Sequence, residues 1–523
     1  MSGAAGWLPG WLSAVAALAA GLALAAAFPP VGIWPLAMTG PALLTLAVWR
    51  QGRLRTFLLG LICGGAFFTA LLSWLVNVAW YAWGALAVTE TVIFAVLALA
   101  LRPLLRLRAW PLAVAGWWVA QEAVRDRFPW GGFPWGRLAM SQAGAPTAGW
   151  AAIGGPPLLT FLLALAGAWV AYSGLRIAGQ LQPGRADPGQ ARWRESAAGA
   201  AAAVLAVGIA LAGNLAWHRS PGPGPTAIVA TIQGNVPHAR NLPNLLRAST
   251  VTENHTAATL KLAGQVRAGR RPAPDVVIWP ENSTDIDPSL SAQTYQTIAI
   301  AVDAINRPVL VGAVLDNPVR NAGQLWLPGH GPVQDYIKRQ LVPFGEVIPM
   351  RGLLDTFTSL PSLQPTNFTP GHRAVVFHVG KVRLGDVICY EVGFDNLVRS
   401  EVLAGANLLT VQTNDADYEL DGQLGETLQQ LAMARMDAVW TGRSVAVAST
   451  TGVSAIIAPD GTVLTASRTW QRTALEARIP LRSAFTPADR AGSWPELIIV
   501  GLTALAWCLA LAGRALPKRH APA

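Results

Sequence analysis

The chain has 523 residues, of which 52% are hydrophobic and only 13% are charged, and this composition is too apolar for an ordinary soluble enzyme. The formal net charge of +10 does not indicate nucleic acid as a partner, because many arginines separate apolar runs and no basic patch is interleaved with aromatic residues. Three cysteines, two of them inside apolar runs, support neither a disulfide framework nor a cysteine-based zinc site.

Eight apolar stretches are predicted to be transmembrane helices, because about 17–25 apolar residues are enough to cross a bilayer. They cover residues 11–28, 32–49, 57–76, 79–101, 109–124, 157–175, 196–216 and 495–513. The fifth is the weakest, since Gln121 and Glu122 interrupt its end. The first has no charged leader and is directly followed by further spans, so we expect a retained span and not a signal peptide.

Basic residues follow the second, fourth, sixth and eighth of these spans. They are Arg50, Arg53, Arg55, Arg102, Arg106, Arg108, Arg176, Arg185, Arg192, Arg194, Arg514, Lys518 and Arg519. The positive-inside rule therefore places both termini in the cytoplasm, and this orientation depends on an even number of spans. We expect a membrane domain with seven transmembrane helices in residues 1–217, an extracytoplasmic domain in residues 218–494, and a C-terminal transmembrane helix with a cytoplasmic tail in residues 495–523.

The loop between the fifth and sixth predicted spans places arginines on the outer side of the membrane, against the positive-inside rule. Arg125, Arg127 and Arg137 lie in or beside segment 128–137, which is rich in aromatic residues, glycine and proline. Two interpretations stay open. The tryptophans can form an aromatic belt at the membrane interface, or the segment can be a lipid-facing rim whose arginines bind head-group phosphates.

The composition changes after Trp217, where the proline and glycine residues of 220–225 indicate a linker. Short β-rich runs then predict strands over residues 226–233, 275–280, 308–315, 373–379, 382–388, 406–412, 444–450 and 453–458. Helices are predicted over 245–268, 290–305 and 422–442. This alternation predicts a layered α/β domain. The sequence contains no GxxxxGK[ST] loop, so nucleotide hydrolysis has no support.

A carboxylate, an ammonium and a thiol occur in three short polar segments of this domain, at Glu281, Lys338 and Cys389. Glu281 and Cys389 each follow a predicted strand, and two strand ends of one α/β sheet can bring a base and a nucleophile together. The carboxylate would take the thiol proton, the sulfur would attack, and the cation would stabilise the oxyanion in acyl transfer through a thioester. Taken singly, each residue also fits a structural role, as a core cysteine, a helix-capping glutamate or a solvated lysine.

The domain resembles the nitrilase superfamily, whose members use a Glu-Lys-Cys triad in an αββα sandwich. The resemblance is carried by the triplets Trp279-Pro280-Glu281, Tyr336-Ile337-Lys338 and Cys389-Tyr390-Glu391. Over almost its entire length the chain is similar to the membrane branch of that superfamily, the apolipoprotein N-acyltransferases. Further matching segments are 133–135, 232–237, 341–346, 413–416 and 433–436. The expected fold is therefore an α-helical membrane bundle of about eight spans joined to a nitrilase-like αββα sandwich.

This resemblance implies a two-step reaction in which Cys389 attacks a phospholipid acyl ester, with Glu281 as the base and Lys338 at the oxyanion. Lysophospholipid leaves, and the α-amine of the N-terminal diacylglyceryl-cysteine of an apolipoprotein attacks the thioester. The implied location is the bacterial cytoplasmic membrane, where the protein would act on membrane lipids. Neither a metal nor an organic cofactor is indicated.

The resemblance extends to residues around the triad. Supporting residues are expected at Glu346, which would position Lys338, and at Tyr390 and Glu391. Contacts with substrate are expected at Asn235, Trp135, Arg137, Asp417 and Tyr418. The sequence departs from the family at two places: Asp417-Tyr418 stands where an aromatic pair is usual, and Asn241-Leu242 stands where a tryptophan is common. These departures leave the triad intact and bear on substrate preference.

Two other functions stay open at this point. The first is a membrane-tethered nitrilase-like amidase or hydrolase, in which water attacks the thioester. The second is a non-enzymatic lipoprotein-binding scaffold or a transporter. Charged residues buried among the spans would favour transport, and Glu90 and Glu122 are the main candidates. A scaffold would tolerate the substitution Cys389→Ala.

Overall fold

The computed structural model describes residues 8–179, 188–217, 224–237, 244–354, 356, 366–416, 418–419 and 422–515. These residues fall into two compact units. One lies within residues 1–217 and 491–523, and the other lies within residues 218–490. The first unit is helical in its described part, whereas the second combines helices with two β-sheets.

The first unit contains a long helix at the position of each of the eight predicted spans. These helices are α1 (Gly10–Ala27), α2 (Leu36–Val48), α3 (Arg53–Leu71), α4 (Trp80–Ala98), α6 (Trp110–Arg125), α7 (Ala151–Ile177), α8 (Pro188–Leu211) and α16 (Trp494–Ala515). Short helices α5 (Leu101–Leu104) and α9 (Gly213–Ala216) follow α4 and α8. Alanine and leucine dominate these segments, and both residues favour helix.

Five stretches of this unit, among the described residues, are helical, long and apolar enough to cross a membrane. They are Gly10–Ala27, Arg53–Leu71, Trp80–Leu104, Ala148–Ile177 and Trp494–Ala512. The apolar helices at Leu36–Val48 and Ser196–Leu211 are shorter. Helix α16 leaves large apolar side chains uncovered, and Leu502 is 62% exposed. Such a surface is typical of a helix that faces lipid. That all eight helices span the bilayer stays a prediction.

The second unit is built on two six-stranded sheets in its described part. Sheet 1 has the order β12-β1-β2-β3-β4-β5 and sheet 2 the order β11-β10-β9-β8-β7-β6. The strands are β1 (Thr226–Gln233), β2 (Val276–Ile278), β3 (Val309–Leu315), β4 (Arg320–Leu327), β5 (Gly331–Ile337), β6 (Val376–Val379), β7 (Val382–Ile388), β8 (Leu408–Thr413), β9 (Ser444–Ser449), β10 (Ala455–Ile457), β11 (Val463–Ala466) and β12 (Thr473–Pro480). The central strands β1-β2-β3 and β7-β8-β9 are parallel, and the flanking strands are antiparallel.

The helices of this unit are α10 (Asn244–Arg267), α11 (Ala292–Ile305), α12 (Arg351–Leu354), α13 (Asp395–Leu403), α14 (Gly425–Thr441) and α15 (Pro487–Ala491). Alternate residues of β2 show how the layers are separated. Val276 and Ile278 pack in the core between the two sheets, whereas Val277 packs under α10 and α11, because successive side chains of a strand point to opposite faces. Helices α13 and α14 contact strands of sheet 2. The arrangement is the predicted αββα sandwich.

Each of the eight predicted strands coincides with an observed strand, but β4, β5, β11 and β12 were not expected. Strands β5, β11 and β12 lie at sheet edges, where polar residues and a proline such as Pro332 are tolerated. Strand β4 lies inside sheet 1 although it begins Arg-Asn-Ala-Gly-Gln. Its neighbours β3 and β5 hold this weakly β-forming segment in the sheet.

Candidate active site

The three candidate residues lie at the ends of strands that belong to two different sheets. Glu281 comes three residues after β2 and Lys338 directly follows β5, and both strands are in sheet 1. Cys389 directly follows β7 in sheet 2. The expectation that two strand ends of a single sheet bring base and nucleophile together is therefore wrong. The two sheets of the sandwich each supply part of the site.

The backbone that carries Glu281 passes very close to β3. A Cβ atom at Gly312 would overlap the carbonyl oxygen of Pro280 and the Cα atom of Glu281, so this approach requires glycine. Ser283 Oγ donates to the Gly312 carbonyl at 2.9 Å, and the amide of Thr284 donates to the same oxygen at 3.1 Å. These contacts fix the segment after β2 against the sheet.

Lys338 and Asn321 join the carboxylates of Glu281 and Glu346. Lys338 Nζ donates to Oε1 of both glutamates at 3.0 Å. Asn321 Nδ2 donates to the same two oxygens at 2.7 and 2.9 Å. The amide of Asn414 donates to the other oxygen of Glu281 at 2.9 Å. Since Lys338 is only 1% exposed, the four side chains form a buried polar cluster with two carboxylates and one ammonium.

Burial and neighbouring charges set the protonation of this cluster. Burial raises the pKa of the Glu281 carboxyl, and the like charge of Glu346 adds to the rise, while Lys338 opposes it. Burial alone would lower the pKa of Lys338, but the two carboxylates outweigh it and hold that pKa well above its usual value. Lys338 therefore stays charged. Glu281 is a carboxylate with an unusually strong tendency to take a proton.

Cys389 is buried and has a backbone conformation that an L residue rarely adopts. Its φ is +51°, in the left-handed region, at the start of the 3-10 turn Cys389–Gly393. Burial and then the Glu281 carboxylate raise the pKa of the thiol well above its ordinary value, and Lys338 opposes them. The resting sulfur is thus a protonated thiol that needs a base. Gln430 Nε2 donates to Sγ at 3.5 Å.

Glu391 connects the turn after β7 with the segment after β5. Its carboxylate accepts hydrogen bonds from the amides of Ile388, Arg339 and Gln340 at 2.8, 2.7 and 3.0 Å, and from the hydroxyl of Tyr336 at 2.8 Å. One buried carboxylate therefore fixes the position of the Cys389 turn relative to the Lys338 segment. Tyr390, the other flanking residue, packs edge-to-face on Phe394 with ring centroids 5.1 Å apart.

The residues expected to contact substrate are dispersed. In the second unit, Asn235 Nδ2 donates to the Trp470 carbonyl at 2.8 Å, which ties a loop, while half-buried Tyr418 lies within the electrostatic reach of Cys389. Asp417 and segment 241–242 lie outside the described residues. Trp135 and Arg137 belong to the first unit.

In that unit both Trp135 and Arg137 are buried. Arg137 Nη1 lies 3.6 Å from Asp126 Oδ2. Arg125 is also buried and pairs with Glu90, while exposed Arg127 pairs with Glu496 at 2.6 Å. The arginines of this loop are thus engaged in internal ion pairs. Phe128 and Trp130 are exposed, as an aromatic belt requires.

Three groups of the site were not singled out from the sequence as functional. Asn321 lies on β4, a strand without a β-rich pattern. Gln430 lies on α14, where the sequence does not mark it as functional. The amide of Asn414 belongs to matching segment 413–416, but its contact with Glu281 joins two distant strand ends. Of these three residues, only Asn414 lies in a segment that matches the family.

A cavity of about 320 Å³ borders Asn282 and Asn414. It is lined by Asn282 and Asn414, the residues next to and hydrogen-bonded to Glu281, together with residues of α10 and the loop before it. Its lining mixes apolar side chains with Arg247 and Asp285. Among the described residues, no group of three or more His, Cys, Asp or Glu is placed to hold a metal ion.

Comparisons with known proteins match both units. Residues 20–169 match the family model of the apolipoprotein N-acyltransferase N-terminal domain, and residues 228–484 match that of carbon-nitrogen hydrolase. An apolipoprotein N-acyltransferase of Mycolicibacterium smegmatis is 37% identical over 96% of this chain and 86% of its own length. Another, from Azotobacter vinelandii, is 30% identical over 98% and 96%. Among solved structures, a mutant of a nitrilase-superfamily amidase from Nesterenkonia is 15% identical, with a TM-score of 0.37, and covers 52% of this chain and 96% of that chain.

Proposed function

This chain belongs to the family of the apolipoprotein N-acyltransferases, and we propose that it acylates the amino terminus of apolipoproteins. The acyl group comes from a phospholipid, is held as a thioester on Cys389, and passes to the α-amine of a diacylglyceryl-cysteine. The observation that carries this proposal is the buried cluster in which Lys338 bridges Glu281 and Glu346, with the Cys389 thiol within its electrostatic reach.

In the first step, the Cys389 thiol gives its proton to Glu281 as the sulfur attacks the ester carbonyl. Of the carboxylates that act on this thiol, Glu281 has the largest effect on its pKa, and its own raised pKa makes it a better base. The ester C–O bond then breaks, and the proton on Glu281 passes to the departing lysophospholipid oxygen. Glu281 is a carboxylate again when the thioester has formed.

The ammonium of Lys338 stabilises the oxyanion of the tetrahedral intermediate. Two carboxylates hold the lysine charged in a buried site, where a fixed charge acts more strongly than in water. Asn321 Nδ2 donates to the same two carboxylate oxygens and helps to hold them beside the lysine. In the second step the amine attacks the thioester, Glu281 takes its proton, and the sulfur leaves.

The protein is a bacterial membrane protein, with apolar helices long enough to reach across a bilayer. We place both termini in the cytoplasm and the catalytic unit outside it, because the basic residues follow the even-numbered predicted spans. This placement gives a lipid acyl donor direct access to an enzyme anchored in the same bilayer. It also puts the reaction on the side of the membrane that exported lipoproteins reach.

The test is a product balance with the purified full-length protein in mixed micelles. It receives a phospholipid with a deuterated acyl chain and a synthetic diacylglyceryl-cysteine peptide. The proposal predicts equal amounts of lysophospholipid and N-acylated peptide, and neither product with Cys389→Ala. Lysophospholipid matched by free fatty acid would instead identify a hydrolase. An unchanged phospholipid pool would contradict acyl transfer altogether.

A further inference from the structure

The side chain of Gln430 lies against the Cys389 sulfur, and among the described residues only its amide nitrogen has a hydrogen-bond partner. Its Nε2 donates to Sγ at 3.5 Å. Its Oε1 is buried and has no hydrogen-bond partner among the residues that the structure describes. Gln430 is 3% exposed, so water does not freely satisfy this oxygen. A buried acceptor without a donor is unfavourable, and a donor is therefore expected there when the site is occupied.

Glu426 lies on the same side of helix α14. Residues four apart lie on one face of a helix, so Glu426 and Gln430 are neighbours. Glu426 is buried, and its Oε2 also lacks a partner in the described part of the chain. Its electrostatic effect on the pKa of the Cys389 thiol shows that it too lies near the sulfur. Burial and the neighbouring carboxylates of Asp415 and Glu419 raise the pKa of Glu426 itself well above its ordinary value, so it is a neutral carboxylic acid. A neutral carboxyl can both donate and accept a hydrogen bond, so the amide oxygen of Gln430 is the group of this pair that only accepts and has no donor in the described part of the chain.

The chemistry of the two substrates decides which of them can use the free oxygen of Gln430. The reacting ester of a phospholipid has oxygen atoms that only accept hydrogen bonds, so it gains nothing from a further acceptor. A neutral primary amine has one lone pair and two N–H bonds. The lone pair attacks the thioester and one N–H proton passes to Glu281, which leaves one N–H that must find an acceptor in a buried site.

We propose that Gln430 Oε1 accepts this second N–H bond and orients the acceptor amine for attack on the thioester. The inference rests on the proposed function and deepens it, since it assigns a residue to the transfer step. The amine nitrogen bonds to the thioester carbonyl carbon, the C–S bond breaks, and the N–H proton taken by Glu281 returns to the Cys389 sulfur. The products are the amide and the free thiol, so atoms and protons balance.

The test separates the two half-reactions in the variant Gln430→Met, which keeps the side-chain length and removes the amide. Full-length protein in detergent micelles is first acylated with palmitoyl-oleoyl-phosphatidylethanolamine, and the adduct is followed by intact mass. Excess diacylglyceryl-cysteine peptide is then added, and decay of the adduct gives the transfer rate constant. We expect transfer to slow about 10- to 100-fold, as for a lost hydrogen bond in a transition state, with acylation slowed by no more than about threefold.

Gln429→Met is the matched control, because Gln429 is an equally buried glutamine on the same helix. Both rate constants of this control should stay within about threefold of the wild type. The inference is overturned if Gln430→Met transfers at the wild-type rate, if its acylation falls as much as its transfer, or if the control slows transfer equally. Failure of the wild-type protein to form any adduct is a different result, which would count against the proposed function itself.

Discussion

Each unit has a buried cation with carboxylate partners, Arg125 in the first unit and Lys338 in the second, and the charges around these two cations differ. In the membrane unit, Arg125 forms an ion pair with one carboxylate, Nε to Glu90 Oε2 at 2.6 Å. In the catalytic unit, Lys338 forms ion pairs with two, Glu281 and Glu346, at 3.0 Å each. The charges of Arg125 and Glu90 cancel. The group of Lys338, Glu281 and Glu346 has one more negative charge than positive charge when both glutamates are ionised. A balanced pair fixes structure, whereas a surplus carboxylate is ready to take a proton.

The remaining contacts of Arg125 are with neutral groups. It donates to the Trp135 carbonyl at 2.5 Å and to Gln121 Oε1 at 3.4 Å, and its guanidinium lies 4.6 Å from the centre of the Phe68 ring. These contacts tie helices α3, α4 and α6 to the loop that contains Trp135. Glu122, the other residue considered for transport, accepts from the Leu138 amide and the Thr160 hydroxyl at 2.8 and 2.9 Å. Both buried acids of this unit thus contact neighbouring helices and loops.

Among the substitutions in the second unit, removal of the proposed base Glu281 should have the largest effect on the acylation rate. Glu281→Gln keeps the shape of the side chain but cannot take the thiol proton, and general-base catalysis contributes about 10²- to 10⁴-fold. We expect the rate of adduct formation on Cys389 to fall by about that factor. Intact-mass measurements on samples quenched at successive times give the rate, and thermal unfolding in detergent checks that the variant is folded. Acylation at a wild-type rate would remove Glu281 from the mechanism.

Replacing each of the two cations with methionine should slow the reaction in the case of Lys338 and lower the stability of the protein in the case of Arg125. Lys338→Met removes the charge at the oxyanion, and we expect acylation to slow about 10²- to 10³-fold. Arg125→Met leaves Glu90 buried without its partner, which costs about 3–5 kcal/mol of unfolding free energy. The double substitution Arg125→Met with Glu90→Gln should recover part of that loss.

These effects are measured by single-turnover acylation and by denaturation in detergent micelles. A Lys338→Met variant that is acylated at the wild-type rate would contradict the catalytic role of Lys338. Equally adverse is an Arg125→Met variant as stable as the wild type, because it would mean that the balanced pair has no structural role.

The pH dependence of acylation should depend on the second carboxylate, because Glu346 contributes to the raised pKa of Glu281. Glu281 has a raised pKa and is the proposed base, so we expect acylation to be fast above that pKa and to be lost as the pH falls through it. Because Glu346 contributes to the rise, Glu346→Gln should move the acid limb of the rate profile to lower pH. The profile is obtained from single-turnover rates between about pH 4 and about pH 9, a range that begins near the ordinary pKa of a glutamate side chain. A limb that stays in place would show that the two carboxylates are not coupled.

The smallest effect is expected at Asn321, which is neutral. Asn321→Ala removes one donor to each of Glu281 Oε1 and Glu346 Oε1. Loss of such hydrogen bonds costs about 1–3 kcal/mol, so acylation should slow about tenfold, less than in Lys338→Met. The same single-turnover assay measures it. A loss as large as that of Glu281→Gln would mean that Asn321 does more than hold the carboxylates.

The sequence predicted those parts of the catalytic unit whose local pattern agrees with the fold. Runs rich in valine and isoleucine identified β2 and β7, and the motifs ending in Glu281 and containing Cys389 identified the polar strand ends. That β2 and β7 lie in different sheets could not be read from either run. Strand pairing depends on long-range contacts, and a short buried run pairs equally well in either sheet.

Residues that act through contacts across the chain were the ones that pattern could not identify. Asn321 lies 40 residues from Glu281 and Gln430 lies 41 residues from Cys389, and neither separation matches a helix or strand period. Arg137 lies in an aromatic loop for which the sequence left two interpretations open, an aromatic belt or a lipid-facing rim, and in the structure it is buried beside Asp126. An ion pair inside a membrane unit is decided by packing, which the sequence pattern does not specify.

The central claim is that the Cys389 sulfur carries the acyl group between the two substrates, and the most direct measurement is to map that group. The full-length protein is incubated with a deuterated phospholipid and no acceptor, quenched in acid, digested, and analysed by tandem mass spectrometry before and after hydroxylamine, which cleaves thioesters. The account predicts one deuterated acyl group on Cys389 that hydroxylamine removes, and none in Cys389→Ser under the same treatment. An acyl group on another residue, or product formed by Cys389→Ala at the wild-type rate, would contradict it.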